Sequence, residues 1–492
     1  MERKAESGMM PLKFRPKLSC MRLQPEIPKS SSSLDIEALA ALDRAHLVHP
    51  VAAWRQHEER GPRVLDTGRG SWLTDVHGRE LLDAFAGLWC VNIGYGQESV
   101  VEAATNQMRK LPYATGYFGF ASEPAIRLAA KLVELTPSSL TRTYLTLGGS
   151  EAVDAAVRFI VQYWNARGRP AKKHFISLER GYHGSSSTGA GLTALPVFHR
   201  GFDLPLPTQH YIPSPNPYRH PQGDDAQALI ASSVAALRAK VAELGSDKVA
   251  AFFCEPIQGS GGVIVPPTGW LKAMREAARE LDILFVVDEV ITGFGRTGPM
   301  FACEAEGVDP DLMTLAKGLT AGYVPMGATM LSEPIYAAIA DAAPPDVAIG
   351  HGATYSAHPV GAAVALEVLR LYDEGGILAN GQRVARHFAA GLDDLRAHPL
   401  VGDARYRGLL GALELVSDKA TKRGFDASLG LPDRIFTAAY ENGVVFRCFG
   451  DAVLGFAPAL TFTEAEFEVL FARLRRTLDQ VLSAREVRAA LV

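Results

Sequence analysis

The middle of the chain alternates short, continuously apolar runs with stretches of helical period, and no other feature of the 492-residue sequence restricts the fold as strongly. The runs are RTYLTL before Gly148, KHFISL before Glu179, VAAFFC before Glu255, ILFVV before Asp288 and LMTLA before Lys317. A strand with one wet face alternates apolar and polar residues, whereas consecutive apolar residues suit strands covered on both faces. The pattern therefore predicts an α/β chain with a mostly parallel sheet between helices. In open sheets of this kind ligands bind beyond the carboxyl ends of the strands. Those ends carry GGSE, ERGYHG, EPIQGSGG, DEVITGFGRTG and KGLTAG, so acidic, glycine-rich and lysine-bearing loops are expected to face one crevice.

Composition narrows the partners. With 47% hydrophobic and 21% charged residues the chain can bury a core, and a net charge of −4 supplies no basic field for nucleic acid or an anionic membrane. Neither partner is expected. Cys20, Cys90, Cys254, Cys303 and Cys448 are scattered, with no C-x-x-C pair and no zinc spacing, so they read as reduced thiols of a cytoplasmic protein and no metal site is expected. No apolar run is long enough to cross a bilayer. Residues 1–33 lack a continuous apolar segment and are read as a flexible tail rather than a secretory signal. Near the other end, TFTEAEFEVLFARLRRTLDQVL predicts a helix capped by Thr463 and Glu466, with Phe467, Leu470, Phe471, Leu474, Leu478 and Val481 on one face. The expected organisation is a large domain over 81–357, inserted between two parts of a small domain at 34–80 and 358–492.

Three local patterns bear on chemistry. Lys317 stands among small and apolar neighbours, where an ammonium must snorkel, pair or act as a nucleophile of depressed pKa. LGGSEAVDAAVRF runs from a strand end into a helix at Gly148, Gly149 and Ser150, either a phosphate-binding helix N-terminus or a tight turn capped by Ser150. No Walker lysine follows, which argues against a nucleoside triphosphate. Asp288 and Glu289 end a buried strand, and the stretch from there to Lys317 leaves room for a loop, a helix and the next strand. Both could then end on the same side of adjacent strands. GFGRTG, residues 293–298, matches a dinucleotide pattern literally, but Pro299 follows at once and no helix opens there. A nicotinamide-dependent dehydrogenase is kept only as a reading of a different class.

Taken together, GSEAVDAA, GYHG, EPIQGSGG, DEVITGFGRTG, AKGLTAGYVPMGA and HGATYSAHP resemble the class III aminotransferases, pyridoxal 5'-phosphate enzymes of fold type I, from roughly residue 45 to the C-terminus. Within that class, DAFAGLWCVNIGYG and FRCFGD resemble omega-aminotransferases that use pyruvate, of the beta-alanine or amine type. The resemblance implies a large domain with a mostly parallel seven-stranded sheet and a smaller α+β domain. It implies that Lys317 forms the Schiff base and later shuttles a proton, and that Asp288 pairs with the pyridine nitrogen. It places Gly149 and Ser150 at the phosphate, Tyr182 and Val290 on the two ring faces, and His183 and Glu255 around the cofactor, with Gln258 on the same loop as Glu255. Thr354 would reach the phosphate from the neighbouring subunit, which implies a homodimer, with tetramers left open. Arg447 would bind a keto-acid carboxylate, and Trp89 would wall the donor pocket. An aminomutase of the same fold and a non-catalytic binding protein are the alternatives. Two departures from the family pattern are Val51, where relatives commonly carry an aromatic, and APAL, where many have a second proline.

Overall fold

The computed structural model describes residues 36–223 and 225–492, so the expected tail at 1–33 lies outside the described residues. The described residues divide into two compact units, one within residues 36–62 and one over 63–492. The first contains the helices Ile36–His46 and Trp54–Arg60, neither of which buries a side chain.

The second unit begins with three antiparallel strands, β1 (Leu65–Arg69), β2 (Trp72–Asp75) and β3 (Glu80–Asp83). A seven-stranded sheet follows: β4 (Leu140–Thr146), β5 (His174–Leu178), β6 (Gln209–Ile212), β7 (Val249–Cys254), β8 (Leu284–Asp288), β9 (Leu312–Leu315) and β10 (Gly327–Ser332), in the order β4-β10-β9-β8-β7-β5-β6. β10 is antiparallel to both neighbours, and β5 through β9 run parallel. Every residue of β7, β8, β9 and β10 is buried, which is what runs without polar alternation require. β8 and β9 are parallel neighbours paired Val286 to Leu312 through Asp288 to Thr314, so Asp288 and Lys317 do emerge on the same side of adjacent strands. Among the described residues, their connection carries a 3₁₀ turn at Ala302–Glu306 in place of an α-helix. The glycines and proline of GFGRTGP give that stretch turns, with Gly295 at φ +81°.

The C-terminal part supplies β11 (Val401–Arg407), β12 (Leu410–Leu415), β13 (Val444–Val445), β14 (Arg447–Cys448) and β15 (Val453–Phe456). β11, β12, β15 and β14 form a third sheet, while β13 pairs in parallel with β3 and so ties the C-terminal segment to residues 80–83. The closing helix, Glu464–Ser483, begins with the expected capping box between Thr463 and Glu466 and buries Phe467, Leu470, Leu474, Leu478 and Val481. Phe471 is only half-buried, and Thr477, absent from the expected stripe, is buried with its hydroxyl donating to Arg473 O at 2.8 Å.

Candidate active site

The loops after β4, β5, β7, β8 and β9 enclose a cavity of about 430 Å³. Gly149, Ser150, Tyr182, His183, Glu255, Asp288, Val290 and Lys317 all line it. They come from five loops separated widely in sequence and are gathered because parallel strands deliver their carboxyl ends to one edge.

Lys317 follows β9 with φ at +41°, a backbone state that side-chain-bearing residues adopt at some cost. It is half-buried, its Nζ lies 5.9 Å from the centroid of the Tyr182 ring, and that Nζ makes no hydrogen bond among the described residues. Burial lowers its pKa, against the opposing charges of Asp288 and Glu255. An amine with lowered pKa, no fixed partner and an open cavity in front of it can act as a nucleophile or base.

Asp288 is buried at the end of β8. Its Oδ2 accepts a hydrogen bond from His183 Nδ1 at 2.8 Å, and its Oδ1 accepts one from Val290 N at 3.1 Å. Burial acts to lower the pKa of His183, yet the hydrogen bond and charge of Asp288 prevail and raise it. The other ring nitrogen, Nε2, is buried without a partner. The imidazole thus orients the carboxylate, which lines the cavity.

Glu255 Oε1 accepts from Tyr182 N and Oε2 from Gly259 N, each at 2.9 Å. Burial still dominates and pushes its pKa up to about 7 from an ordinary 4.5. A folded-state pKa above the unfolded value means that the folded protein holds this proton more tightly. The stabilisation is complete below the unfolded pKa and is lost as pH rises through about 7. The shift corresponds to about 3 kcal/mol over that window. In urea titrations of coenzyme-free protein, Glu255→Gln is expected to flatten the decline in stability between pH 4.5 and 7 that the parent shows. An unchanged slope would assign the decline to other groups.

The helix Gly149–Ala166 opens directly onto the cavity. Gly148 rather than Ser150 occupies its cap position, and Ala152 N donates to Gly148 O at 3.1 Å. The Ser150 hydroxyl instead accepts a hydrogen bond from Ser185 N at 3.1 Å. That contact depends on Gly184, at φ +106°, where a Cβ would stand 2.7 Å from Ser150 Oγ. A Cβ on Gly149 would come within 3.1 Å of Val290 Cγ1, so the missing side chain leaves the helix end open to an anion.

Not every expected residue reaches the cavity. Trp89, at φ +59°, packs edge-on against Phe85 and Phe449 with its indole N–H buried and unpartnered. Arg447 lies on β14 with its guanidinium 5.3 Å from the Phe449 ring centroid. Neither is among the lining residues. Thr354 is exposed, and its carbonyl accepts a hydrogen bond from the Tyr113 hydroxyl at 2.9 Å. Gln258 supports the loop, donating to Glu179 O at 2.8 Å and accepting from Ser214 Oγ. The arginine of GFGRTG is wholly buried: Arg296 donates to Asn92 Oδ1 at 2.7 Å and to the carbonyls of Leu409 and Pro458. The run is therefore a structural staple. Two contributors had no clear sequence signal. Tyr323 lines the cavity and clamps Gly94 and Gln97 through its hydroxyl, and buried Asp83 accepts from Phe85 N, Gly87 N and Tyr95 Oη in the loop that carries Trp89.

Residues 54–478 match the family model for aminotransferase class III. The chain is 40% identical to a putrescine–pyruvate aminotransferase of Pseudomonas aeruginosa over 90% of its length and 96% of the relative's. It is 37% identical to a diaminobutyrate–2-oxoglutarate transaminase of Halomonas elongata, covering 87% and 92% of the two chains. Among solved structures, an (S)-enantioselective omega-transaminase from Thermomicrobium roseum superposes with a TM-score of 0.88 at 38% identity, over 91% of this chain and 99% of that one. The omega-transaminase of Pseudomonas jessenii in complex with PMP gives a TM-score of 0.88 at 37% identity, over 90% and 98%. The chain belongs to the class III aminotransferases, which are pyridoxal-phosphate enzymes. Its cavity fits that coenzyme: an amine without a partner, an oriented carboxylate and an open helix N-terminus stand around one space.

Proposed function

We propose that the chain is an omega-aminotransferase that moves an amino group from an amine or omega-amino acid to pyruvate, giving alanine, in a ping-pong cycle. The observation that carries this is the unpartnered Lys317 amine in the same cavity as the Asp288–His183 pair. Bound pyridoxal phosphate supplies an aldehyde that captures amines and a ring that accepts electrons when its nitrogen is protonated. Asp288 holds a proton at that nitrogen, and His183 fixes the carboxylate. Gly149 and Ser150 would present backbone N–H groups to the phosphate, while Tyr182 and Val290 would confine the ring and Glu255 would border it. Lys317 Nζ would hold the coenzyme and would serve as the base that takes the proton from the substrate carbon bearing nitrogen.

Thr354 is exposed and does not line its own cavity, which suits a phosphate contact across a homodimer. Tyr117, Phe118, Phe120 and Tyr355 form an exposed apolar band near it, in keeping with cover by a second copy. Cys90, Cys254, Cys303 and Cys448 are all free thiols, which suits the cytoplasm, and no helix among the described residues is long and apolar enough to cross a membrane.

Trp89 would wall the donor side, and Arg447 on its short strand would fork onto the pyruvate carboxylate or swing aside for an apolar donor. A charge-assisted bidentate contact contributes about 1.5–3 kcal/mol, a factor of about 10 to 150. Arg447→Ala is expected to slow the pyruvate half-reaction by that factor and a carboxylate-free amine half-reaction by much less. Equal losses in single-turnover absorbance would remove Arg447 from this role. The function as a whole is tested by a panel of amine donors with pyruvate, following alanine against lost amine. Failure of every donor to yield alanine would overturn the reading.

A further inference from the structure

Outside the catalytic unit, two short helices meet at a cluster the sequence did not advertise. Neither Ile36–His46 nor Trp54–Arg60 buries a side chain, and at 11 and 7 residues neither has the length that sustains an isolated helix in water. What joins them is polar. Asp43, in the last turns of the first helix, accepts from His49 Nε2 on Oδ1 and from His57 Nε2 on Oδ2, both at 2.7 Å. His49 lies in the connecting turn and is steadied by Trp54, whose indole N–H donates to its carbonyl at 3.1 Å. The two imidazoles sit 4.0 Å apart between centroids, so both present Nε2 to one carboxylate. The potential donor atoms of all three residues lie within 4.8 Å of one another.

We propose that Asp43, His49 and His57 bind one divalent cation of the zinc class, clipping the two helices together. Two imidazoles and a carboxylate, with a fourth position left for water, form a donor set that suits zinc. The cation takes Nε2 from each ring and one oxygen from Asp43. The two Nε2–H···O hydrogen bonds are given up, and each ring carries its proton on Nδ1. Tetrahedral ligands at zinc distances stand about 3.3 Å apart, so the ring already bonded to the ligating oxygen need move off by only about half an ångström, and the other donor atoms lie within 4.8 Å. The three side chains are between 11% and 29% exposed, which lets a hydrated ion enter. The expectation of no metal site, drawn from cysteine spacing, did not weigh this pattern of one aspartate and two histidines.

The test is equilibrium dialysis of the chelator-stripped holoenzyme against zinc chloride. The parent is expected to retain one more zinc per chain than His57→Gln, which can still donate to Asp43 but lacks the imidazole ligand, with affinity falling about tenfold or more. His49→Gln provides the second variant should the first misfold. Amide exchange on the parent gives an independent readout, with zinc expected to slow exchange across residues 36–60. Zinc binding elsewhere, including at the coenzyme, would be equal in parent and variants and would overturn the proposal. So would no bound zinc at micromolar concentration, or unchanged exchange in that segment.

Discussion

Lys317→Ala is expected to yield a folded protein whose transamination is slower by about 10⁴-fold or more, with thermal stability unchanged or raised. The activity loss follows from removing the two roles proposed for this residue, nucleophile and proton carrier, and general acid–base catalysis alone accounts for about 10²–10⁴-fold. The stability side follows from the site itself. Lys317 Nζ has no hydrogen bond to lose, its charge is opposed by burial, and the backbone at φ +41° is no worse for alanine than for lysine. Deleting a desolvated group whose burial outweighs the attraction of Asp288 and Glu255 and that makes no hydrogen bond relieves the folded state, the usual relation between strained functional residues and stability. Melting curves and single-turnover absorbance on the same preparation check both halves. A small exogenous amine should restore part of the rate, because the vacated space lies on an accessible cavity. Residual activity within tenfold of the parent would mean that another amine does the work.

What could be seen in the sequence divides along physical lines. β7 and β8 were legible because full burial leaves uninterrupted apolar runs, and the closing helix was legible because its cap and stripe are local. β6 and β10 were not singled out. QHYI is a short edge strand with a polar start, and GATMLS follows a glycine- and proline-rich turn that hides its start. Lys317, Asp288 and Glu255 could be named because each ends a recognisable strand. The pairing of His183 with Asp288 could not be derived from pattern, since it joins residues 105 positions apart through strands that are not neighbours in the sheet. The structural role of Arg296 was hidden for the same reason. Its partners Asn92, Leu409 and Pro458 are distant in sequence, so a buried structural cation sits inside a run resembling a nucleotide loop. The same limit hid Asp83 and Tyr323, whose acceptors and donors are mostly backbone groups with no residue-type signature.

Asp288→Asn is the sharper probe of the site, because it keeps volume and removes charge. Two donors approach this side chain, His183 Nδ1–H and Val290 N–H, and an asparagine offers only one oxygen. If the amide oxygen stays on Val290, the amide N–H₂ faces His183, whose proton must move to Nε2. That atom is buried with no acceptor, so the rearrangement leaves an unsatisfied N–H and costs about 1–3 kcal/mol of stability. The opposite orientation strands Val290 N–H instead. Turnover suffers separately, since a neutral amide cannot hold a proton at the coenzyme's ring nitrogen. A preorganised electrostatic contact of this kind accounts for about 10³-fold in rate, near 4 kcal/mol. The His183 imidazole gives a readout that a merely structural role would not move. Its pKa is raised by the bond to Asp288 and by that residue's charge, so it must fall in the variant, and nitrogen-15 shifts of the ring report both the titration and the tautomer. A rate within tenfold of the parent, together with an unmoved His183, would show that the carboxylate neither charges the ring nor governs its neighbour.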